Sequence, residues 1–596
     1  MSEFDVLIQN AMIVDGSGKP AYKGSIGVKG DRVVAVGPVT GDAKDVVDAS
    51  GLTAVPGFID SHSHGDLSLP YYPLCENYVL MGCTTFVGGN CGVSPAPIAD
   101  MTSVPERLHK YLLELSAYKY YPPWSTSTIQ FWPRDQVNEL MKKEYGWTID
   151  WHTMGDYFKF LEKKGISANY APLLGHATVR KLVMGEDYKR PSTKTEQAEM
   201  VGLIRQGLDE GCIGMSVGLD YDPDIFADRE ELVEHVSILK EYNAIFVPHS
   251  RRTGRRLDIA MGHRMPDPVD GLREVIDICR AAGVRMNIAH IYTGWYITPA
   301  GGPPILEEAN RRATLMVIDE ALKEGLDISF DSLVLSPIVP NTASYLCAPF
   351  EPWLREYGTR EKFAEWLKSK DIREEIKDAI YKGKWYMRNN PNTNPRWAEG
   401  ITVLKHKNPA YENKSLAKIA TELGRDPFET WFDLIVEDPD AKSGGSGRGG
   451  DPEAPYHAIF FQHPASAVGL DMGVLDYKQE SKVPPWSLPM IHMYSAYVGF
   501  YDMFVNRTKA LTLEQAVHKT STQVAIRHKL KGRGVIKEGA FADIVLMDLP
   551  NLKVMSTPLE PRQQPKGIEY VFVNGTAVVK NAKHTGATPG RVLRRG

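Results

Sequence analysis

Eight short apolar runs, most of them trailed by a helix-like stretch, restrict this sequence more than any other feature. They are LTAVPGFID near 52–60, TTFVGG at 84–89, NYAPLLG at 169–175, CIGMSV at 212–217, AIFVP at 244–248, VRMNIA at 284–289, LDISFD at 326–331 and SAVGL at 466–470. Stretches such as TKTEQAEMVGLIRQGLDEG and VDGLREVIDICRAAG lie between them. Strands that alternate with helices pair in parallel under a helical cover, and eight such units close on themselves. An open doubly wound sheet is the alternative. No Gly-rich dinucleotide fingerprint follows the first run, so we expect an α/β fold built on a (β/α)8 TIM-like barrel.

Both ends of the chain read differently. FDVLIQNAMIVD and GSIGVKGDRVVAVG alternate apolar and polar residues between Gly, Asp and Asn turns. Near the end, ADIVLMD precedes GIEYVFVNGTAVVKNAKH, whose Asn574–Gly575 pair signals a hairpin. We therefore expect a small β-sandwich domain assembled from residues 1–55 and 533–596, with the barrel over 56–532. Two gaps, at about 95–168 and 340–465, exceed a plain βα unit. Each leaves from the C-terminal end of a strand, the active-site face of a barrel. The first holds YKYYPPWSTSTIQFWP at 118–133, which reads equally as a pocket wall or a subunit contact. The second holds KSGGSGRGGDP at 442–452, which reads as a flexible loop.

Composition removes several function classes. The 596 residues are 43% hydrophobic and 24% charged, ordinary for a soluble chain with a large core. A net charge of −5 gives no basic field for nucleic acid or an anionic membrane. The start, MSEFDVLIQN, has no basic leader, and no run approaches the ~20 apolar residues of a bilayer span. These features predict a cytoplasmic protein without nucleic-acid or membrane partners, and leave a homo-oligomer open. Six cysteines are too few and too scattered for a disulfide scaffold.

The densest chemical signal is Asp60-Ser-His62-Ser-His64-Gly-Asp66, directly after PGF. Residues two apart on a strand point the same way, so His62 and His64 project together at a spacing that suits one metal ion. Three other runs end similarly: TTFVGG leads into Asn90-Cys91-Gly92, AIFVP into His249 and VRMNIA into His290. Alone, each reads as a structural residue, and Cys91 as a buried inert thiol. Together they place soft or borderline ligands where a barrel converges its side chains. Asp471 follows SAVGL, where a carboxylate either caps a helix or takes a proton from activated water.

These stretches resemble the N-acyl-D-amino-acid deacylase (D-aminoacylase) family of the metal-dependent amidohydrolase superfamily. The likeness rests on PGFIDSHSHGD, TTFVGGNCGVSPAP, LLGHATVRKLVMG, EGCIGMSVGLDYDP, VPHSRR, NIAH, GVIKEGAFADIVLMD and the terminal TPGRVLR. It implies zinc, one or two ions, on His62, His64, Cys91, His249 and His290, with Cys91 able to bridge two positions. It implies that Asp471 is the catalytic proton carrier. It also puts Tyr221 and Arg251 at substrate-contact positions.

Some neighbours depart from the family pattern. Leu470-Asp471-Met472 stands for Ser-Asp-Gly, His492-Met493-Tyr494 for His-Pro-Arg, and Tyr292 for a Lys two residues past the sixth-strand His. A substrate carboxylate needs charged donors to offset its desolvation. The basic loop Arg251, Arg252, Arg255 and Arg256 offers compensation, although Arg255 and Arg256 read as a solvated turn. We expect a zinc-dependent hydrolase of a linear amide, with Tyr221, Arg251 and Tyr292 lining the substrate site. A cyclic-amide hydrolase of the hydantoinase type, a hydrolase of uncharged or aromatic amides, and a non-catalytic scaffold are the alternatives.

Overall fold

The computed structural model describes residues 2–99, 101–103, 131–185, 187–220, 223–251, 268–291, 304–334, 343–382, 385, 391–392, 396–445, 458–478 and 489–596. Eight parallel strands stand side by side in chain order: Phe58–Asp60, Cys83–Gly88, Asn169–Gly175, Gly214–Gly218, Ile245–His249, Arg285–Ile288, Ile328–Leu333 and Ser466–Gly469. The Ser61 N–H donates to the Val468 carbonyl at 3.3 Å, and Ser63 bridges Met472, so the eighth strand returns to the first and the barrel nearly closes.

Alternation within each strand sorts the core. Ile59, Val87, Leu173, Ile245, Val247 and Ala467 pack together with Val524, Ala525 and Leu530, which plug the N-terminal end. Their neighbours Phe86, Tyr170, Leu174, Phe246, Met286 and Phe330 pack outward into the helix layer. Both faces are buried, which is why these strands read as continuous apolar runs. The helices begin where polar caps allow. Thr193 and Glu196 form a reciprocal capping box at the start of Lys194–Asp209.

The first predicted strand divides in two. Thr53–Pro56 pairs antiparallel with Ile544–Met547 in the terminal sheet, and only Phe58–Asp60 enters the barrel. Gly57 makes the break: a Cβ there would lie 2.2 Å from Thr84 Oγ1, so only glycine lets the chain pass. Five strands from the N-terminal region and four from the C-terminal region form one nine-stranded sheet, sharing a core of Ile8, Ile26, Val33, Ile544, Leu546 and Phe572.

Of the first long insertion, Met101–Ser103 pairs with Phe131–Pro133, and residues 118–130 lie outside the described residues. The second builds its own core around Phe350, Trp353, Phe428, Trp431 and Phe432, beside a four-stranded sheet. Lys442–Gly445, expected to open a flexible loop, is a strand paired with Ala343–Tyr345 on one side and Ile401–Lys405 on the other. Backbone hydrogen bonds do this pairing, so the Gly/Ser composition concealed it. Residues 446–452 lie outside the described residues.

A buried ion pair ties the terminal sheet to the barrel. Arg533 pairs with Asp543, their side chains 3% and 4% exposed, and Arg533 also donates to Asn574 Oδ1 at 2.9 Å. Asn574 Nδ2 donates in turn to Asn169 Oδ1 on the third barrel strand at 2.8 Å. Asp543→Ala strands the Arg533 guanidinium, and we expect a loss of about 3–5 kcal/mol, read as a lower denaturation midpoint in urea.

Candidate metal centre

The strand ends set the site. Beyond the regular ladder, hydrogen bonds continue between the loops: Asp471 N to His62 O at 2.8 Å, His64 N to Met472 O at 2.9 Å, Ala289 N to Pro248 O at 3.0 Å and Ile291 N to Asp331 O at 2.8 Å. Neighbouring strands therefore deliver their terminal side chains to one rim. Asp60 fixes the join between the first and last strands. It accepts from the His62 and Leu470 N–H groups, each at 2.9 Å, and from Tyr78 Oη at 2.9 Å.

Cys91 is the hub. Its Sγ lies 3.4 Å from His62 Nε2, 3.3 Å from His249 Nδ1 and 3.5 Å from His290 Nε2. Asp471 Oδ1 lies 3.1 Å from His64 Nε2 and 3.6 Å from His62 Nε2. Two donor groups result, each with its atoms within 4.8 Å of one another: His62, His64, Cys91 and Asp471, and Cys91, His249 and His290. They share Cys91. Thiolate plus imidazoles is a donor set that suits a borderline-soft divalent ion, and these residues fit one.

Burial divides the labour. His62, Cys91, His249 and His290 are 0–3% exposed, whereas the side chains of His64 and Asp471 are 29% and 32% exposed. Asp471 and His64 thus face whatever enters the mouth. Burial raises the Asp471 carboxyl, but the His64 hydrogen bond and the charges of His62, His290 and His64 outweigh it and hold the group well below the usual carboxylate range. Burial likewise lowers His64, while the Asp471 bond and Cys91 carry it well above the usual imidazole value.

Three of these residues adopt backbone that L side chains rarely take. Cys91, His290 and Asp471 have φ of 51°, 39° and 53°. Left-handed non-glycine residues cost energy and persist only when their surroundings over-determine them. At Cys91 the surroundings are visible. Asn90 Nδ2 donates to Ser63 O at 3.2 Å and Val87 O at 2.8 Å, and Ser216 Oγ accepts from Gly92 N at 2.9 Å. A Cβ on Gly92 (φ 80°) would lie 2.6 Å from Asp224 Oδ2 and 2.8 Å from Gly218 N. Gly92→Ala therefore pushes the Cys91 turn off its seat. We expect at least a tenfold weaker metal affinity, measured by competition with a chromophoric chelator.

Sequence reasoning missed the carboxylates behind the ligands. Asp220 Oδ2 lies 3.2 Å from His249 Nε2, and Asp331 Oδ1 lies 3.7 Å from His62 Nδ1. Asp331 also accepts from His290 N at 2.8 Å and Asn287 Nδ2 at 2.7 Å. Burial first, and the nearby Asp471 charge, push its carboxyl up to about 7 against those bonds. A hydrogen-bonded carboxylate such as Asp220 fixes ring orientation and tautomer. A further column leads down the barrel: Ser329 Oγ donates to Asn287 Oδ1 at 2.8 Å and accepts from Arg527 Nε at 2.9 Å.

A separate buried cluster braces the neighbouring loop. His176 lies 2.8 Å from Asp224 Oδ1 and 2.9 Å from His235 Nδ1, while Arg180 Nε donates to Glu231 Oε1 at 2.9 Å. His176, Glu231 and His235 stand close enough to ligate an ion. The guanidinium already occupies the carboxylate, so we read them as a brace.

Arg251, expected at the substrate, is engaged within the protein. Its Nε faces both Glu274 oxygens at 3.1 Å, Nη1 donates to Leu219 O and Ile225 O at 3.2 and 2.8 Å, and Nη2 to Ala227 O at 3.1 Å. It clamps the loop that carries Asp220. Tyr221, Tyr292, Arg252, Arg255 and Arg256 lie outside the described residues. His492 is buried, and among the described residues its Nε2 has no partner.

No family model matches the chain. A D-aminoacylase from Alcaligenes xylosoxydans xylosoxydans is 27% identical over 99% of this chain and 98% of its own length. An N-acyl-D-glutamate deacylase from the same organism is 26% identical over 100% and 97%. Among solved structures, an N-acyl-D-glutamate deacylase from Bordetella bronchiseptica, complexed with zinc and a phosphonate mimic of the tetrahedral intermediate, superposes with a TM-score of 0.66 at 24% identity over 99% of each chain. That last likeness is one of fold.

Proposed function

Because this chain belongs to the N-acyl-D-amino-acid deacylase (D-aminoacylase) family of the amidohydrolase superfamily, we propose that it is a zinc-dependent hydrolase of a linear amide, with Asp471 as the proton carrier. It is an amidohydrolase acting on carbon–nitrogen bonds other than peptide bonds. The observation that carries the finer reading is the meeting of Cys91 with three imidazoles beside a partly exposed Asp471.

His62, His64, Cys91, His249 and His290 would hold one or two ions. A divalent ion held there would polarise the amide carbonyl and would lower the pKa of a bound water to about 7. Asp471 accepts the proton that water gives up and returns it to the leaving nitrogen, so the C–N bond breaks to an acid and an amine. His64 Nε2 and Asp471 Oδ1, 3.1 Å apart, would both face the bound ion. Asp220 keeps the His249 ring turned inward.

Arg251 is committed to its loop, and the His-Pro-Arg arginine of the family is absent. We therefore place the preferred substrate among linear amides that do not depend on those two groups for a carboxylate grip. The test is a hydrolysis screen of the zinc-loaded protein over N-acyl-D- and N-acyl-L-amino acids, uncharged amides and cyclic imides. Turnover of a linear amide that stops on chelation is the expected result. Ring opening of cyclic imides without linear-amide turnover contradicts the proposal, as does zinc-independent turnover.

A further inference from the structure

We propose that the N-terminal mouth of the barrel carries a binding site for a small oxyanion of the phosphate class, built from Arg285, His528 and Lys529, with Arg527 beside them held by Asp327 and Ser329. This end is opposite the metal centre, so the inference does not rest on the catalytic reading. Arg285 opens the sixth strand and shares a face with Asn287, which bonds Ser329 and Asp331 inside the barrel. Among the described residues, the Arg285 guanidinium forms no hydrogen bond or ion pair, and its Nε is sealed from solvent.

Further donors hold to the same end of these strands. Arg527 Nη2 donates to the carbonyl of Met286, the next residue, at 3.1 Å. Lys529 bonds Asn243, two residues before Ile245, whose strand pairs Ile245 with Arg285. His528 lies between them in sequence, is 2% exposed, and among the described residues neither of its ring nitrogens has a partner.

The facing charges do not balance. Asp327 is a carboxylate near the group, and it pairs with Arg527. Lys531 turns toward the chain end, donating to Gly596 O at 3.3 Å. Burial, then the Arg527 charge, push Arg285 down to about 10; burial, then Arg285 and Arg527, push His528 down to about 3. Burial and the same two arginines lower Lys529. Buried donors left without a partner, here Arg285 Nε and the His528 ring, are costly, and structures retain them where a partner arrives. A tetrahedral oxyanion supplies several acceptor oxygens at once, matching a guanidinium fork from the strand and an ammonium and imidazole from the plug.

The experiment is a calorimetric titration of inorganic phosphate into the full-length protein at constant ionic strength, with Arg285→Met in parallel. Saturable one-to-one binding is expected in the wild type, weakened at least ~10-fold in Arg285→Met. The variant should melt within a few degrees of the wild type in phosphate-free buffer, since among the described residues Arg285 has no partner to lose. Absence of saturable binding overturns the site. Equal binding by both proteins overturns it too, because phosphate would then sit at the metal centre. A large drop in Tm for Arg285→Met in phosphate-free buffer also overturns it, by assigning Arg285 to the fold.

Discussion

Asp471→Asn lowers kcat/KM by about a thousandfold while the chain keeps its fold and its metal. The substitution is nearly isosteric. The backbone bond from residue 471 N–H to His62 O survives, and asparagine tolerates the left-handed φ of 53°. What disappears is basicity: an amide cannot take a proton from water at neutral pH. The His64 ring, 3.1 Å from Asp471 Oδ1, still has an oxygen to face. Steady-state kinetics on the best substrate, with metal content measured on the same preparation, separates the roles. If turnover persists, Asp471 is not the proton carrier. If turnover and metal fall together, it acts as a ligand.

Cys91→Ala should do more damage, and at an earlier step. Sγ stands 3.3–3.5 Å from three imidazoles and belongs to both donor groups. Removing it takes the only thiolate from each. Losing an outer-shell partner weakens metal binding by about 10–100-fold, so losing the shared ligand should exceed ~100-fold, and activity should follow. Cys212→Ala is the control. That thiol is equally buried but belongs to neither group, so its variant keeps metal and turnover. Metal retention by Cys91→Ala would remove the hub from the scheme.

How much of this was legible in the sequence depended on which force placed each residue. His62, His64, Cys91, His249, His290 and Asp471 stood out because each follows an apolar run, and a barrel makes run ends neighbours. The break at Gly57 did not, since it depends on Thr84 across the strand pair. Asp331 carried a usable signal. It lies two residues past Ser329 on an inward-facing register, alternating with the apolar Ile328 and Phe330. Asp220 gave none, and Arg251 pointed to the substrate instead, because its bonds to the Leu219, Ile225 and Ala227 carbonyls leave no mark in side-chain pattern. The strand at Lys442–Gly445 was hidden for the opposite reason, backbone pairing being blind to side-chain type.

X-ray absorption at the zinc edge of the zinc-loaded protein tests the central claim most directly. The geometry predicts a sulfur scatterer at about 2.3 Å together with imidazole nitrogens at about 2.0–2.1 Å, and loss of the sulfur shell in Cys91→Ala. A first shell of oxygen and nitrogen alone in the wild type would contradict it.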